Sequence, residues 1–361
     1  MTAALSVLDF VPVIEGGSGA DAISATIDLA QNTESWGYRR YWLGEHHLTE
    51  GSAGSAPFVL ASTIAERTRT IRVGTAAVVT TMNDPVRVAE SAGTVAAIHP
   101  GRFDLGIARG HVAGPASTPA QVGIDRTVDG IAFPVPRKAT AAQRLPRYAH
   151  ELHDRIQREP ADLESEVTDV LAYLSPPTST SVQVLPAAGA DLEVWIHGTN
   201  PGRTPRLSGA LGLPFGANYH FAGAGLLDSI AEYRAHFVPG HRAEPYVAVS
   251  VDAVVADTES LAAELADANR IRALHNRRGA GVAQLPSPRT VAAHSWTPEL
   301  LELTADRAAI SLTGTAPHVA DTLKRLEKLT GADEFVVNTT AFSHQHRLDS
   351  YRLLAQAWAL F

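Results

Sequence analysis

Short runs of β-branched and aromatic residues alternate along the chain with longer stretches whose apolar positions recur every three to four residues. Strands are expected at 5–11, 38–43, 71–79 and 103–107, separated by helices at 20–36, 57–66 and 85–98. The punctuation agrees: Gly37 ends the first helix, Pro85 opens the third, and Pro100-Gly101 follows it. Further strands are expected at 192–197, 214–219, 246–256 and 334–338, with helices at 146–158, 161–174, 258–275, 317–329 and 346–360. Two stretches rich in Pro, Gly and Ala, 111–145 and 279–298, carry neither period. The pattern amounts to about eight βα units with no linker that would separate two cores, so residues 1–361 are expected to form one domain. Alternating strands and helices imply a parallel sheet with crossover helices. Eight units favour closure into a TIM (β/α)8 barrel, and an open doubly wound sheet is the alternative on pattern alone. The two irregular stretches are long enough to act as lids over a barrel mouth, or to be plain surface excursions.

Composition narrows the classes of function. Apolar residues make up 45% and charged residues 19%, the proportions of a globular chain with a large core. Thirty basic against 38 acidic residues give a formal charge of −8, which speaks against nucleic acid or an anionic membrane as partner. The absence of cysteine removes disulfides, thiolate metal sites and a cysteine nucleophile. The N-terminus lacks a basic region, and Asp9 and Pro12 interrupt its apolar run, so no signal peptide is expected. No apolar stretch approaches the length of a membrane span, and a cytoplasmic protein is the expectation.

In a barrel of this kind the chemistry sits in loops after the strand C-termini. After the second strand comes Gly44-Glu45-His46-His47. Adjacent histidines diverge and cannot share a metal as an i, i+4 pair would, and no HExxH or cysteine pattern supports zinc. After the fourth strand comes Ala108-Arg109-Gly110, where a guanidinium beside a glycine suits a phosphate and equally suits a surface ion pair. After the fifth, Asn200 to Pro205 leads into a helix with Thr204 as the expected N-cap and Pro205 at the first helical position. A helix entry of small polar residues can hold an anion or can simply be capped. The stretch Gly17-Ser18-Gly19-Ala20-Asp21-Ala22 matches the dinucleotide fingerprint but stands too far behind its strand to make that turn.

Four blocks carry a family likeness. Trp42-Leu43-Gly44-Glu45-His46-His47-Leu48-Thr49-Glu50 resembles the second-strand loop of the bacterial luciferase catalytic subunit, and Val73-Gly74-Thr75-Ala76-Ala77-Val78-Val79 resembles its third strand. Asp84-Pro85-Val86-Arg87-Val88-Ala89-Glu90 is similar to the following helix start, and Gly101-Arg102-Phe103-Asp104-Leu105-Gly106-Ile107-Ala108-Arg109-Gly110 to the fourth strand. The likeness is specific over about 36–110 and returns in Leu211-Gly212-Leu213-Pro214 and Gly331-Ala332-Asp333-Glu334, so the chain resembles the luciferase-like flavin monooxygenases.

The resemblance implies a TIM barrel that binds FMN as FMNH2 and oxygenates a small carbonyl or activated carbon with O2 through a flavin C4a-(hydro)peroxide. It implies His46 as the catalytic histidine, whose unperturbed pKa near 6.5 suits a proton shuttle, with His47 pointing away. It places Arg109 with Gly110 on the FMN phosphate, and Asn200 and Thr204 in a second phosphate segment. Ala76-Ala77 matches a non-prolyl cis peptide beside the flavin ring. Ala108 stands where the luciferase subunit has a reactive cysteine, which puts a long-lived oxygenated flavin in doubt. A separate flavin reductase and a homodimer are implied as partners. The competing readings are a coenzyme F420-dependent oxidoreductase performing hydride transfer and a non-catalytic flavin-binding paralogue or subunit.

Overall fold

The computed structural model describes residues 2–110, 124–140, 142, 162–176 and 183–361. Its frame is a ring of parallel strands: β1 (Ala4–Asp9), β2 (Arg40–Leu43), β3 (Arg72–Val79), β4 (Phe103–Ala108), β7 (Glu193–Gly198), β8 (Phe215–Asn218), β9 (Val247–Val255) and β11 (Glu334–Asn338). Pairing of β8 with β9 and of β11 with β1 closes the ring, so the open-sheet alternative falls. All eight barrel strands lie where the apolar runs place them. A short β10 (Leu312–Gly314), which the pattern does not announce, adds to the outer part of β9. Helices α1 (Gly19–Ser35), α2 (Pro57–Arg67) and α3 (Pro85–Ile98) follow the first three strands within one or two residues of expectation.

The interior is built in layers, because every second residue of each strand points inward. The lowest layer is ionic: Arg40 donates to Asp104 (2.9 Å), Glu334 (2.5 Å) and Glu193 (3.2 Å), and Arg72 also holds Asp104. Above it Leu8, Trp42, Trp195, Ala248 and Val336 form an apolar layer, with the two indoles edge to face at 5.2 Å. Gly74 is required here, since a Cβ would lie 2.5 Å from the Trp42 ring. The third layer, two residues further along each strand, opens to the mouth and carries the site.

Outward-facing positions pack on the helices, with one buried ion pair among them. Asp9 at the end of β1 meets Arg347 at 2.7 Å and accepts hydrogen bonds from Thr26 and Tyr41, which ties β1 to α1 and to the closing helix His344–Ala357. The Arg347 charge and these donors hold the Asp9 carboxyl below its usual range against the cost of burial.

Several expectations need correction. The stretch 111–145 is not irregular throughout: β5 (Arg126–Val128) and β6 (Ile131–Phe133) form an antiparallel hairpin across Asp129-Gly130, both with positive φ. Asp-Gly is the signature of a tight hairpin turn. Residues 111–123 of that stretch, and the helix expected at 146–158, lie outside the described residues. Within 279–298 a helical turn, Pro288–Ala293, is capped by Ser287. Thr204 is not an N-cap: the helix Arg203–Ala210 begins two residues earlier than expected, with Gly202 as cap, at φ 123°. The dinucleotide-like stretch is a helix cap, in which Ser18 and Asp21 bond each other's backbone N–H at the start of α1.

Candidate active site

The third interior layer forms the floor of a cavity of about 430 Å³ at the C-terminal mouth of the barrel. Phe10, Gly44, Ala76, Ala108, His197, Gly216, Ser250 and Asn338 supply it, one or two from each strand or the loop after it. Small residues recur around the cavity: Ala76 and Ala77 on β3, Ala108 on β4, Ala217 on β8 and Ala248 on β9. The Ala76–Ala77 peptide is cis, as the resemblance implied, and the β3–β4 register shifts between Thr75 and Val78. Thr75 fastens the strand below the shift, its hydroxyl donating to the Gly106 carbonyl at 2.9 Å and accepting from the Gly106 N–H at 3.0 Å.

His46 enters from the loop after β2. Its backbone N–H donates to the Gly54 carbonyl at 3.0 Å, and its ring packs edge-on against Phe10 at 5.2 Å. Gly44 makes this possible, because a Cβ there would fall 2.4 Å from the Phe10 ring. Glu45 anchors the same loop to the end of β3: it accepts from the Val79 N–H (2.7 Å) and the Asn83 amide (2.9 Å) and meets His47 at 2.9 Å. That contact raises the pKa of His47, which is directed away from the cavity. His46 Nδ1 is buried and has no hydrogen-bond partner among the described residues, while Nε2 is not sealed from the cavity. Burial, with the charge of Arg272 adding to it, pulls the His46 pKa down to about 4. The ring is therefore a neutral imidazole at pH 7, and the environment removes the near-neutral titration expected of an unperturbed histidine.

The other expected residues divide into two groups. His46, Ala76, Ala77 and Ala108 line the cavity; Arg109, Gly110, Asn200 and Thr204 do not. Arg109, Gly110 and Asn200 are exposed and Thr204 is half-buried, all just beyond strand ends. Because β4 and β7 are neighbours, the segments that follow them leave the barrel side by side. Gly110 has φ 77° and a Cβ there would strike Val79 at 2.0 Å, so the backbone turns at Arg109 only with glycine next to it. At the helix entry the Gly202 N–H is already taken by the Glu232 carboxylate, which also holds Arg206 at 2.9 Å.

Two more histidines, which the sequence reading did not single out, face the cavity. His197 stacks on Trp195 at 6.4 Å, meets Trp42 edge-on at 5.6 Å, and keeps a buried, unpartnered Nε2. Gly106 and Gly216 make room for it: a Cβ would lie 2.6 Å from Nε2 at the first and 2.2 Å from Nδ1 at the second. His220 contacts the Ser250 hydroxyl through Nδ1 at 2.6 Å. Burial depresses both pKa values to about 4. The signal for His197 was present, since it stands in register with the inward-facing Glu193 and Trp195. Gly216→Ala is expected to displace the His197 ring and to destabilise the barrel by about 1–3 kcal/mol, the usual cost of overpacking. Urea unfolding of the variant checks this, and unchanged stability together with unchanged ring contacts would refute it.

Both irregular stretches reach the mouth. Val282 lines the cavity, and its carbonyl accepts from Thr49 (2.5 Å) and from the Gly51 N–H (2.8 Å). Pro136 and Arg137, just after the β5–β6 hairpin, line another part. Among the described residues there is no cluster of three or more side chains able to hold a metal ion. Nor, among them, is any helix long and apolar enough to cross a membrane.

Comparison with known proteins gives the family of this eight-stranded parallel barrel with its imidazole-lined cavity. The Luciferase-like monooxygenase profile matches residues 5–333, and the chain belongs to that family. A luciferase-like monooxygenase of Escherichia coli (strain K12) is 32% identical over 98% of this chain and 96% of its own length. The apo crystal structure of MsnO8 superposes with TM-score 0.83 at 27% identity, covering 100% of this chain and 99% of that one. More distant structures share the fold alone. One is the oxygenating constituent of Pseudomonas putida 3,6-diketocamphane monooxygenase in complex with FMN, at TM-score 0.62, 17% identity and coverage of 99% and 98%. Another is an F420-dependent secondary alcohol dehydrogenase with an F420-acetone adduct, at 0.63, 13% and coverage of 99% and 99%.

Proposed function

We propose that the protein is an FMN-dependent monooxygenase that receives reduced flavin from a separate reductase. It would use O2 to place one oxygen atom on a small organic substrate, a carbonyl or other activated carbon, the second atom leaving as water. The observation that carries this reading is the His46 ring, neutral and packed on Phe10, on the wall of a cavity of about 430 Å³ that several alanines line. Small side chains let a flat ring lie against backbone and Cβ atoms, and the volume suits a ligand of that size. The residues present therefore fit a flavin. When bound, reduced FMN supplies the two electrons that activate dioxygen. His46, as a neutral imidazole, accepts and returns a proton at Nε2, the ring nitrogen that is not sealed from the cavity. Phe10 and the Glu45 hydrogen bonds hold its ring in place, and the apolar wall keeps bulk water away. Arg109, with Asn200 and Thr204 across the adjoining strand end, would carry the phosphate.

The test is a titration of FMN, riboflavin and F420 against the wild-type protein and Arg109→Ala. FMN is expected to bind, and Arg109→Ala to weaken it more than about tenfold, roughly 1.5–3 kcal/mol for a charge-assisted contact, with riboflavin unaffected. Tight binding of F420 alone would replace oxygenation by hydride transfer, and equal loss for riboflavin would remove Arg109 from the phosphate.

A further inference from the structure

Among the described residues, the carboxylates and guanidiniums that line the cavity are paired with one another, with outer carboxylates or with a histidine, with one exception. Glu45 meets His47, and Asp252 accepts from Arg307 (3.0 Å) and from the Asn338 amide (2.6 Å). Arg277 is held by Asp306, and Arg137 by Asp125 (2.9 Å) and Glu302 (3.0 Å). Arg272 has no carboxylate within 4 Å among the described residues. One of its terminal nitrogens, Nη2, donates to Asn269 Oδ1 (3.1 Å) and Thr340 Oγ1 (3.3 Å), both neutral acceptors. Its Nη1 and Nε have no protein acceptor among the described residues and are not sealed from the cavity. Asn269, Arg272 and Asn276 recur at helical spacing on the helix Glu259–Arg277 and turn one polar stripe toward the cavity. The Asn269 carbonyl faces the guanidinium, which leaves its amide N–H groups as further donors on that wall.

We propose that Arg272, oriented by Asn269, anchors a carboxylate of the substrate, so that the cavity takes an organic acid. The inference rests on reading this cavity as the substrate's site. Among the described residues this cavity-lining guanidinium meets no carboxylate, and its burial lowers its pKa only to about 10, so it is charged at pH 7. A planar carboxylate matches its free donors. The position also suits the chemistry, because the Arg272 charge is felt at His46. A bound carboxylate would neutralise that charge, raise the proton affinity of His46 and put the acid's carbon skeleton beside it.

The test uses hexanoate and its neutral counterpart hexanamide, titrated by calorimetry against the protein with and without FMN. Hexanoate is expected to bind roughly tenfold or more tightly than hexanamide. Arg272→Gln should abolish that preference, and Arg272→Lys should keep part of it; urea unfolding of each variant controls for folding. Absence of hexanoate binding, equal binding of acid and amide, or a preference that survives Arg272→Gln would overturn the proposal. If Arg272→Gln weakens FMN but not riboflavin, the anion at Arg272 is the flavin phosphate and the proposal falls. A protein that discriminates hexanoate through Arg272 yet binds no FMN would keep this inference and lose the proposed cofactor.

Discussion

Replacing His46 with alanine is expected to slow oxygenation by roughly 10²–10⁴-fold, the range that general acid–base groups contribute. The ring lines the cavity, and among the described residues no protein group bonds its Nε2, the nitrogen that is not sealed from it. Flavin affinity should change far less, since the residues proposed for the phosphate stand beyond the ends of β4 and β7, outside the cavity lining. Because burial and Arg272 hold the pKa near 4, the wild-type rate should show no limb near 6.5 arising from His46. A histidine free of these influences would produce one. The measurement is kcat for wild type and His46→Ala between about pH 6 and pH 9, together with FMN affinity for both. A variant running at the wild-type rate throughout would remove His46 from the reaction. Loss of FMN binding in step with the rate would make it a cofactor ligand instead.

Most of this barrel was legible in the pattern because strand parity and helix punctuation are local. The eight barrel strands each read as an apolar run, and α3 is bounded by Asp84-Pro85 and Pro100-Gly101 in the sequence itself. The β5–β6 hairpin was also legible, in Asp129-Gly130 between Val128 and Ile131, but the surrounding Pro and Gly hid it. The site was half legible. His46 and Ala76-Ala77 follow directly from motifs at strand ends. His197 depends on glycines 91 and 19 residues away in the chain, at positions 106 and 216, which only closure of the ring brings to its two faces. Arg272 lies mid-helix among other arginines, and what sets it apart is that the other arginines lining the cavity, Arg137, Arg277 and Arg307, meet carboxylates while among the described residues it meets none. Pairing of this kind is a property of three-dimensional contact, so no period or spacing announces it.

Acid should unfold this protein well before its buried carboxylates protonate. His46, His197 and His220 all have pKa values pushed down to about 4 by burial, against 6.5 for an unperturbed histidine. Between those values the unfolded chain binds protons that the folded protein refuses, so stability rises with pH across the window and is lost as pH falls through it. Each group costs about 1.4 kcal/mol per pH unit, so moving from pH 6.5 to pH 5 costs roughly 2 kcal/mol per histidine and roughly 6 kcal/mol for the three. That sum is comparable to the whole stability of an ordinary domain, about 5–15 kcal/mol. His47 works in the opposite sense. Its raised pKa contributes stability that is fully present below about 6.5 and is lost as pH rises through the folded value, but it is half-exposed and paired with Glu45, so its share is small. Asp9 adds a separate loss at lower pH, where its depressed carboxyl is finally protonated and the contact with Arg347 breaks. Urea unfolding at pH 7.5, 6 and 5 measures the dependence directly. A steep fall confined to the region below about pH 6.5 is expected, and His197→Asn should remove about a third of the slope whatever its effect on the stability at pH 7.5. Equal stability at pH 7.5 and pH 5 would show that the three rings are not held neutral in the folded barrel.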